Sequence, residues 1–344
     1  MRADWKPPRA FRNTISSLYG AEGRAWLAGL PELVGAYADA HGLTVGEPYP
    51  LSYNFVASAD AADGTGYVVK AAPPGAETAA REAAVLAAWQ GRGATRLHHH
   101  DPDARIMLLE RAEPGYTAET LADATWPPRA AAVGIKADDV AATRALAAAM
   151  RGLWQPAPEA LAVPGTTDTV RIPEVVEYAE DFDWYADTHP TAGPLDPDLF
   201  AAARGLFRDL ASAPYAGLLL HGDLHHGNLL HATRGGAPTW LAIDPKGLRG
   251  DPGFDTAVML WNPGLLPSRS TGCGAARILD SRIGVLAEEL DGAVPGADLG
   301  REMLTMLGFV VAVLSAVWDV QDDTLPESGK PEVMHVAWML YSSL

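Results

Sequence analysis

The stretch HGDLHHGN, His221 to Asn228, places three histidines, an aspartate and an asparagine within eight residues. Two chemistries use these residue types so closely spaced. Histidine clusters ligate zinc, which would make the segment part of a metal-dependent hydrolase. An aspartate followed five positions later by asparagine, inside a His-x-Asp motif, is instead the pattern of a phosphoryl-transfer loop. There the aspartate orients an attacking hydroxyl and the asparagine helps to hold Mg²⁺. The two chemistries make different demands on the rest of the chain.

The zinc reading fares poorly. Relative to the His-x-His-x-Asp-His order of a zinc hydrolase, Asp223 and His225 occupy each other's places, and only His231 and His335 follow. The run His98 to His100 lies next to a strand with no carboxylate cluster and reads as a surface feature. Phosphoryl transfer asks for four parts, and they occur in order. Lys70 ends the strand-like YVVK and is placed to hold phosphates. Glu82, in the helical ETAAREAAVLAAWQG, is a better partner for that lysine than Glu77, because Val85, Leu86 and Trp89 at +3, +4 and +7 put it on the apolar face. Asp223 is placed to orient a hydroxyl. Asn228, together with Asp244 at the end of a short apolar strand in AIDPKG, could hold Mg²⁺. Lysine is scarce: five of 26 basic residues, Lys6, Lys70, Lys136, Lys246 and Lys330.

The net charge of −17 argues against nucleic acid as a partner and suits a cationic small substrate, although acidity also serves solubility. A single cysteine, Cys273, excludes an internal disulfide, and the N-terminus lacks an apolar targeting core; both point to the cytoplasm. The apolar run Met303 to Trp318 is 16 residues long, short of the roughly 20 a membrane span needs, and reads as a buried helix.

These parts must be held by two kinds of scaffold. Residues 14–42 carry helical spacing (Leu27, Leu30, Val34, Tyr37). SYNFVAS and YVVKAA are strands around an Asp-Gly turn, a helix follows, and RIMLLE is a third strand, with room for another pair. After ERAEPG the texture becomes mostly helical, jointed at Pro127-Pro128, Pro156 to Pro164 and Pro190 to Pro197. GLLLHGD and TWLAIDP read as a hairpin carrying the motif and the next acid. The expected fold class is α+β: a small N-terminal lobe, residues 1–112, with an antiparallel sheet and one main helix, and a larger, mostly helical C-terminal lobe, residues 113–344.

HGDLHHGNLL followed by AIDPKGLRGDPGFDTA resembles the aminoglycoside phosphotransferases, in particular the streptomycin 6-kinase and hydroxyurea phosphotransferase branch. GRAWLAGLPELV, REAAVLAAWQGRGATRL and MLLERAEPG match as well. The resemblance implies a two-lobed protein-kinase-like fold with ATP in the cleft and Mg²⁺ on Asn228 and Asp244. It implies Asp223 as catalytic base, Lys70 and Glu82 as the phosphate-anchoring pair, and Glu110 to Ala112 as the hinge that meets adenine. The loop over the phosphates, PYPLSYNFV, lacks Gly-x-Gly, and Ser52 and Asn54 are its candidate donors. Lys246 either touches the transferred phosphate or pairs with an acid to hold the loop. His221, His225 and His226 shape the loop, and Asp255 braces it. The implied acceptor is an antibiotic-like small molecule, cationic and polyhydroxylated, bound by a monomer or homodimer. EVVEYAEDFDWYAD, Glu174 to Asp187, has six acids and no Lys or Arg; as one helix it would offer Glu177 and Asp181 to a cationic acceptor. An amino-sugar kinase and a binding-only pseudokinase are the alternatives.

Overall fold

The computed structural model describes residues 5–76, 78–122, 137–191, 193–212, 217–263, 273–326, 329 and 331–344. Glu77 and the Pro127-Pro128 joint lie outside these residues, as does the side chain of Cys273. The chain forms two compact units. One contains residues 1–115 and 160–171, the other residues 116–159 and 172–344.

In the first unit, helix α1 (Arg9–Ala40) is broken at Gly20, where φ is 53° and ψ is −127°. Its apolar positions Phe11, Ile15, Leu30 and Val34 are buried in one cluster with Phe55, Ala57, Val69 and Ile106. Removing such surface from water is the main favourable term in the unit's stability. The sheet side of that cluster comes from β1 (Leu43–Pro48), β2 (Phe55–Ala61), β3 (Gly66–Ala71), β4 (Leu97–Asp101) and β5 (Ile106–Glu110). They pair in the order β1-β2-β3-β5-β4, all antiparallel. Strands β1 and β4 fill the room left for another pair. The His98 to His100 run is therefore part of a strand, not beside one. Alternation turns His100 inward, where its ring donates to the Pro164 carbonyl at 2.8 Å, and His99 hydrogen-bonds the Tyr37 hydroxyl at 2.9 Å.

Helix α2 (Thr78–Trp89) buries Glu82, Val85, Leu86 and Trp89, the stripe expected from their spacing. A hairpin from later in the chain, β8 (Ala160–Ala162) with β9 (Thr169–Arg171), packs on α2 and so belongs to this unit. A boundary drawn after residue 112 misses it, because its attachment is tertiary and leaves no mark in local spacing.

The second unit is mainly helical. It contains α3 (Ala118–Ala122), α4 (Asp139–Leu153), α5 (Ala179–Thr188), α6 (Pro197–Ser212), α7 (Gly253–Ala257), α8 (Cys273–Leu290), α9 (Arg301–Gln321) and α10 (Met334–Tyr341). Helix α9 is long and apolar enough to cross a membrane, but 67% of its most apolar window is buried among the unit's own helices. Arg282 on α8 is 2% exposed and pairs with Asp139 of α4 at 2.6 Å, while also donating to the carbonyls of Met259, Leu260 and Asn262.

Two small sheets hold the HGDLHHGN segment. Strand β10 (Leu218–Leu220) lies between β13 (Leu248–Gly250) and β7 (Gln155–Pro156), and β11 (Leu229–Arg234) forms a hairpin with β12 (Ala237–Ala242), flanked by β6 (Pro114–Thr117). GLLLHGD and TWLAIDP are thus not hairpin partners. Leu218 to Leu220 are buried on both faces, a pattern that specifies a covered strand but not its neighbour. The acidic segment is not one helix either: a 3₁₀ turn, Val175–Tyr178, precedes α5.

Candidate active site

The sheets deliver the segment as a loop between β10 and β11. Gly222 has φ +80°, and a Cβ there would meet Leu248 at 2.9 Å, so only glycine fits the turn out of β10. At Gly227 a Cβ would meet the His225 ring at 2.9 Å and Glu119 of α3 at 3.0 Å. The loop is then pinned from below. The Asp255 carboxylate, 1% exposed, accepts the N–H of His221 at 3.0 Å, the N–H of Gly222 at 2.7 Å and the indole N–H of Trp154 at 3.1 Å. Asp255 braces the loop, as its sequence position suggests; burial pushes its carboxyl above the usual range, against the pull of these donors and His221.

His221 is fully buried. Its Nε2–H donates to the Ile243 carbonyl at 2.9 Å and its Nδ1 accepts from the Asp223 N–H at 3.2 Å, so its nitrogens are spent on backbone. Burial lowers its pKa. His225 Nδ1 accepts the Gly227 N–H at 3.0 Å. His226 is buried with neither ring nitrogen hydrogen-bonded, and burial, with Arg282 and His225 adding, holds it well below its ordinary value. These histidines shape a loop. Among the described residues no group of three or more His, Cys, Asp or Glu is arranged to hold a metal.

Asp223 is left facing outward, its side chain 27% exposed, with Lys246 Nζ 3.4 Å from its Oδ2. Lys246 thus pairs with an acid, one of its two expected roles, and Asp223 is such a partner. The Asn228 side-chain amide donates to the Asp223 carbonyl at 2.9 Å. The register Leu229↔Ala242, extended by the Ile243 N–H to the Asn228 carbonyl at 3.0 Å, brings Asn228 and Asp244 to the same end of the β11–β12 hairpin. Asp244 has φ +58°, in the left-handed region that aspartate adopts more readily than most side chains.

In the first unit, Lys70 Nζ donates to both oxygens of Glu82, at 2.7 and 2.8 Å, with side chains 3% and 9% exposed. The pairing across β3 and α2 is that expected from the apolar stripe. Ser52 is exposed and Asn54 half-buried in the bend before β2. The Glu110 carbonyl accepts the Thr95 hydroxyl at 2.8 Å, and Ala112 follows in the segment leaving β5.

Glu177 and Asp181 have internal partners. Glu177 accepts the Glu174 N–H at 2.8 Å and caps its own turn. Asp181 accepts the Trp318 indole N–H and the Gln321 side-chain amide, each at 3.0 Å. Trp318 and Glu119 are site neighbours that the sequence does not flag. Trp318 reads there as the end of an apolar core run, and its ring lies 5.8 Å from Lys246 Nζ.

The signature described as aminoglycoside/hydroxyurea antibiotic resistance kinase matches residues 52–323. The chain belongs to that family. It is 32% identical over 320 residues to streptomycin 6-kinase of Streptomyces glaucescens, covering 92% of this chain and 91% of that one. It is 33% identical over 319 residues to hydroxyurea phosphotransferase of Kitasatospora aureofaciens, covering 90% and 79%. Among solved structures, this resistance kinase superposes on choline kinase LicA from Streptococcus pneumoniae with a TM-score of 0.57 at 15% identity, covering 91% of this chain and 99% of that one. Macrolide 2'-phosphotransferase MphH from Brachybacterium faecium gives 0.54 at 19%, covering 91% and 98%. At such identities the likeness is one of fold, and the fold of this small-molecule kinase is the protein-kinase-like α+β fold.

Proposed function

We propose that this kinase transfers the γ-phosphoryl group of ATP to a hydroxyl of a small, cationic, polyhydroxylated acceptor of the aminoglycoside class in the cytoplasm. The observation that carries the reading is the loop geometry: an outward carboxylate, Asp223, on a backbone pinned by Asp255, beside the Lys246 ammonium and next to two oxygen donors, Asn228 and Asp244. One carboxylate and one amide oxygen form a hard donor pair that fits Mg²⁺, which keeps other positions for phosphate and water. Bound there, Mg²⁺ supplies neutralisation of phosphate charge.

In this mechanism Asp223 orients the acceptor hydroxyl and takes its proton as the new O–P bond forms and the bond from phosphorus to the β-phosphate bridging oxygen breaks, releasing ADP. Lys70, oriented by Glu82, balances phosphate charge, and Lys246 balances the charge gathering beside Asp223. Glu110 to Ala112 meet adenine through backbone groups, with Ser52 and Asn54 as candidate phosphate donors. The acceptor class is supported by the net charge of −17 and the acidic stretch Glu174 to Asp187, and by the named activity of the streptomycin 6-kinase relative. The stretch acts as a field that concentrates cations, since Glu177 and Asp181 already serve internal bonds.

The test is substrate-dependent ADP release across aminoglycosides, hydroxyurea and amino sugars. Aminoglycoside turnover with an acceptor KM that rises with salt supports the proposal. Turnover of hydroxyurea alone refutes the cationic acceptor and leaves the acidic stretch as solvated surface. Asp223→Asn should lower kcat about 10²- to 10⁴-fold with ATP binding retained, and Asp244→Ala should abolish turnover.

A further inference from the structure

Lys246 reaches Asp223 on a flexible four-carbon stem, with its side chain 49% exposed. An ion pair this exposed is worth less than the rotamer freedom that a lysine surrenders to make it. A further contact on the ammonium therefore adds to its hold at the base. The structure provides one: the Trp318 ring centroid lies 5.8 Å from Lys246 Nζ, within cation–π range. The ring is itself fixed. Its indole N–H donates to Asp181 Oδ2 at 3.0 Å, the other oxygen of Asp181 accepts from Gln321 at 3.0 Å, and Tyr178 packs edge-on at 5.1 Å. Trp318 and Gln321 lie on the half-buried last turn of α9, whose preceding turns are largely buried, so the ring stands at the end of a packed helix.

We propose that Trp318 is a positioning residue for phosphoryl transfer. Its ring carries the Lys246 ammonium to Asp223, and Asp181 and Gln321 hold the ring in place. This gives Asp181 a task inside the enzyme rather than on the acceptor. The proposal rests on the reading of Asp223 and Lys246 above. In it, charge builds up beside Asp223 as the hydroxyl is deprotonated, and an ammonium held there meets that charge without reorganising.

The experiment is a double-mutant cycle between Trp318→Leu and Lys246→Met, read as kcat and both KM values on the full chain with Mg²⁺ and ATP. Trp318→Leu should lower kcat about tenfold with the ATP KM unchanged, and should add less than twofold once Lys246 is Met. Trp318→Phe, which keeps a ring, should recover most of the lost kcat. An equal loss in both backgrounds, or a Phe variant as poor as Leu, overturns the proposal. Should Trp318→Leu fail to fold, Asp181→Asn replaces it, with the same expected loss of effect in the Lys246→Met background. If Lys246→Met alone keeps full kcat, the role of Trp318 falls with that of Lys246. Asp223→Asn then decides separately whether the kinase reading of the loop stands.

Discussion

Replacing Asp255 with asparagine isolates what the buried carboxylate does for the loop. Oδ2 receives two donors, the His221 N–H at 3.0 Å and the Trp154 indole at 3.1 Å, and Oδ1 receives the Gly222 N–H at 2.7 Å. An amide has one oxygen. If it takes the Oδ2 place, two bonds survive as neutral ones and the amide NH₂ faces the Gly222 N–H, which is stranded. A hydrogen bond to a charged acceptor contributes about 1.5–3 kcal/mol and a neutral one about 0.5–1.5, so two weakened bonds and one lost bond give a gross loss of about 4 kcal/mol. Removing a carboxylate whose pKa burial has raised returns part of this. The net cost is about 2 kcal/mol, equivalent to roughly 30-fold more frequent opening of the loop. Amide hydrogen exchange of the peptide spanning Leu218 to Leu224 reads that opening directly, and kcat should fall with it while the second unit stays folded. Exchange and kcat both within twofold of wild type would show that the carboxylate does not hold the loop.

Glu82→Gln removes the countercharge that the buried Lys70 ammonium meets on α2; breaking a buried pair costs about 3–5 kcal/mol, so thermal stability of the first unit should drop and the ATP KM should rise. Arg282→Met leaves Asp139 and three carbonyls without their donor and should lower the denaturation midpoint by an amount corresponding to about 3 kcal/mol, with little change in either KM. The pKa values of His221 and His226 are lowered in the folded chain, so the unfolded chain takes up protons first as pH falls through 6.5. Stability should be full above that pH and fall below it by up to about 1.4 kcal/mol per pH unit for each histidine. His226→Leu should make the fall shallower in urea titrations at pH 5 to 7, and an unchanged slope would remove His226 from the account.

What was legible in the sequence was local. Asp223, Asn228 and Asp244 stand out by their spacing along the chain, and the β11–β12 register places Asn228 and Asp244 at one end of the hairpin. The Lys70–Glu82 contact follows from the apolar stripe of α2, which dictates the inward face. The α+β class and the buried character of α9 follow from period and length. What was not legible depends on partners distant in the chain. The all-apolar Leu218 to Leu220 requires cover on both faces but does not choose β7 and β13 as neighbours. The acidity of Glu174 to Asp187 looks like a free charged face, yet Glu177 caps a turn and Asp181 holds an indole. Trp318 is indistinguishable from its core neighbours in the sequence, because its contact with Lys246 exists only once α9 is packed.

The hairpin Ala160–Arg171 affects how the protein can be made and recombined. The chain passes between the two units three times, at 115/116, 159/160 and 171/172. The first unit is therefore not a contiguous gene segment. A chimera of two relatives joined at residue 115 would pair the α2 of one parent with the hairpin of the other, and only exchanging 160–171 as well keeps that contact native. On the ribosome, α2 lacks its hairpin until residue 171 has emerged, so the helix carrying Glu82 gains this packing partner only after the second unit has begun to be synthesised.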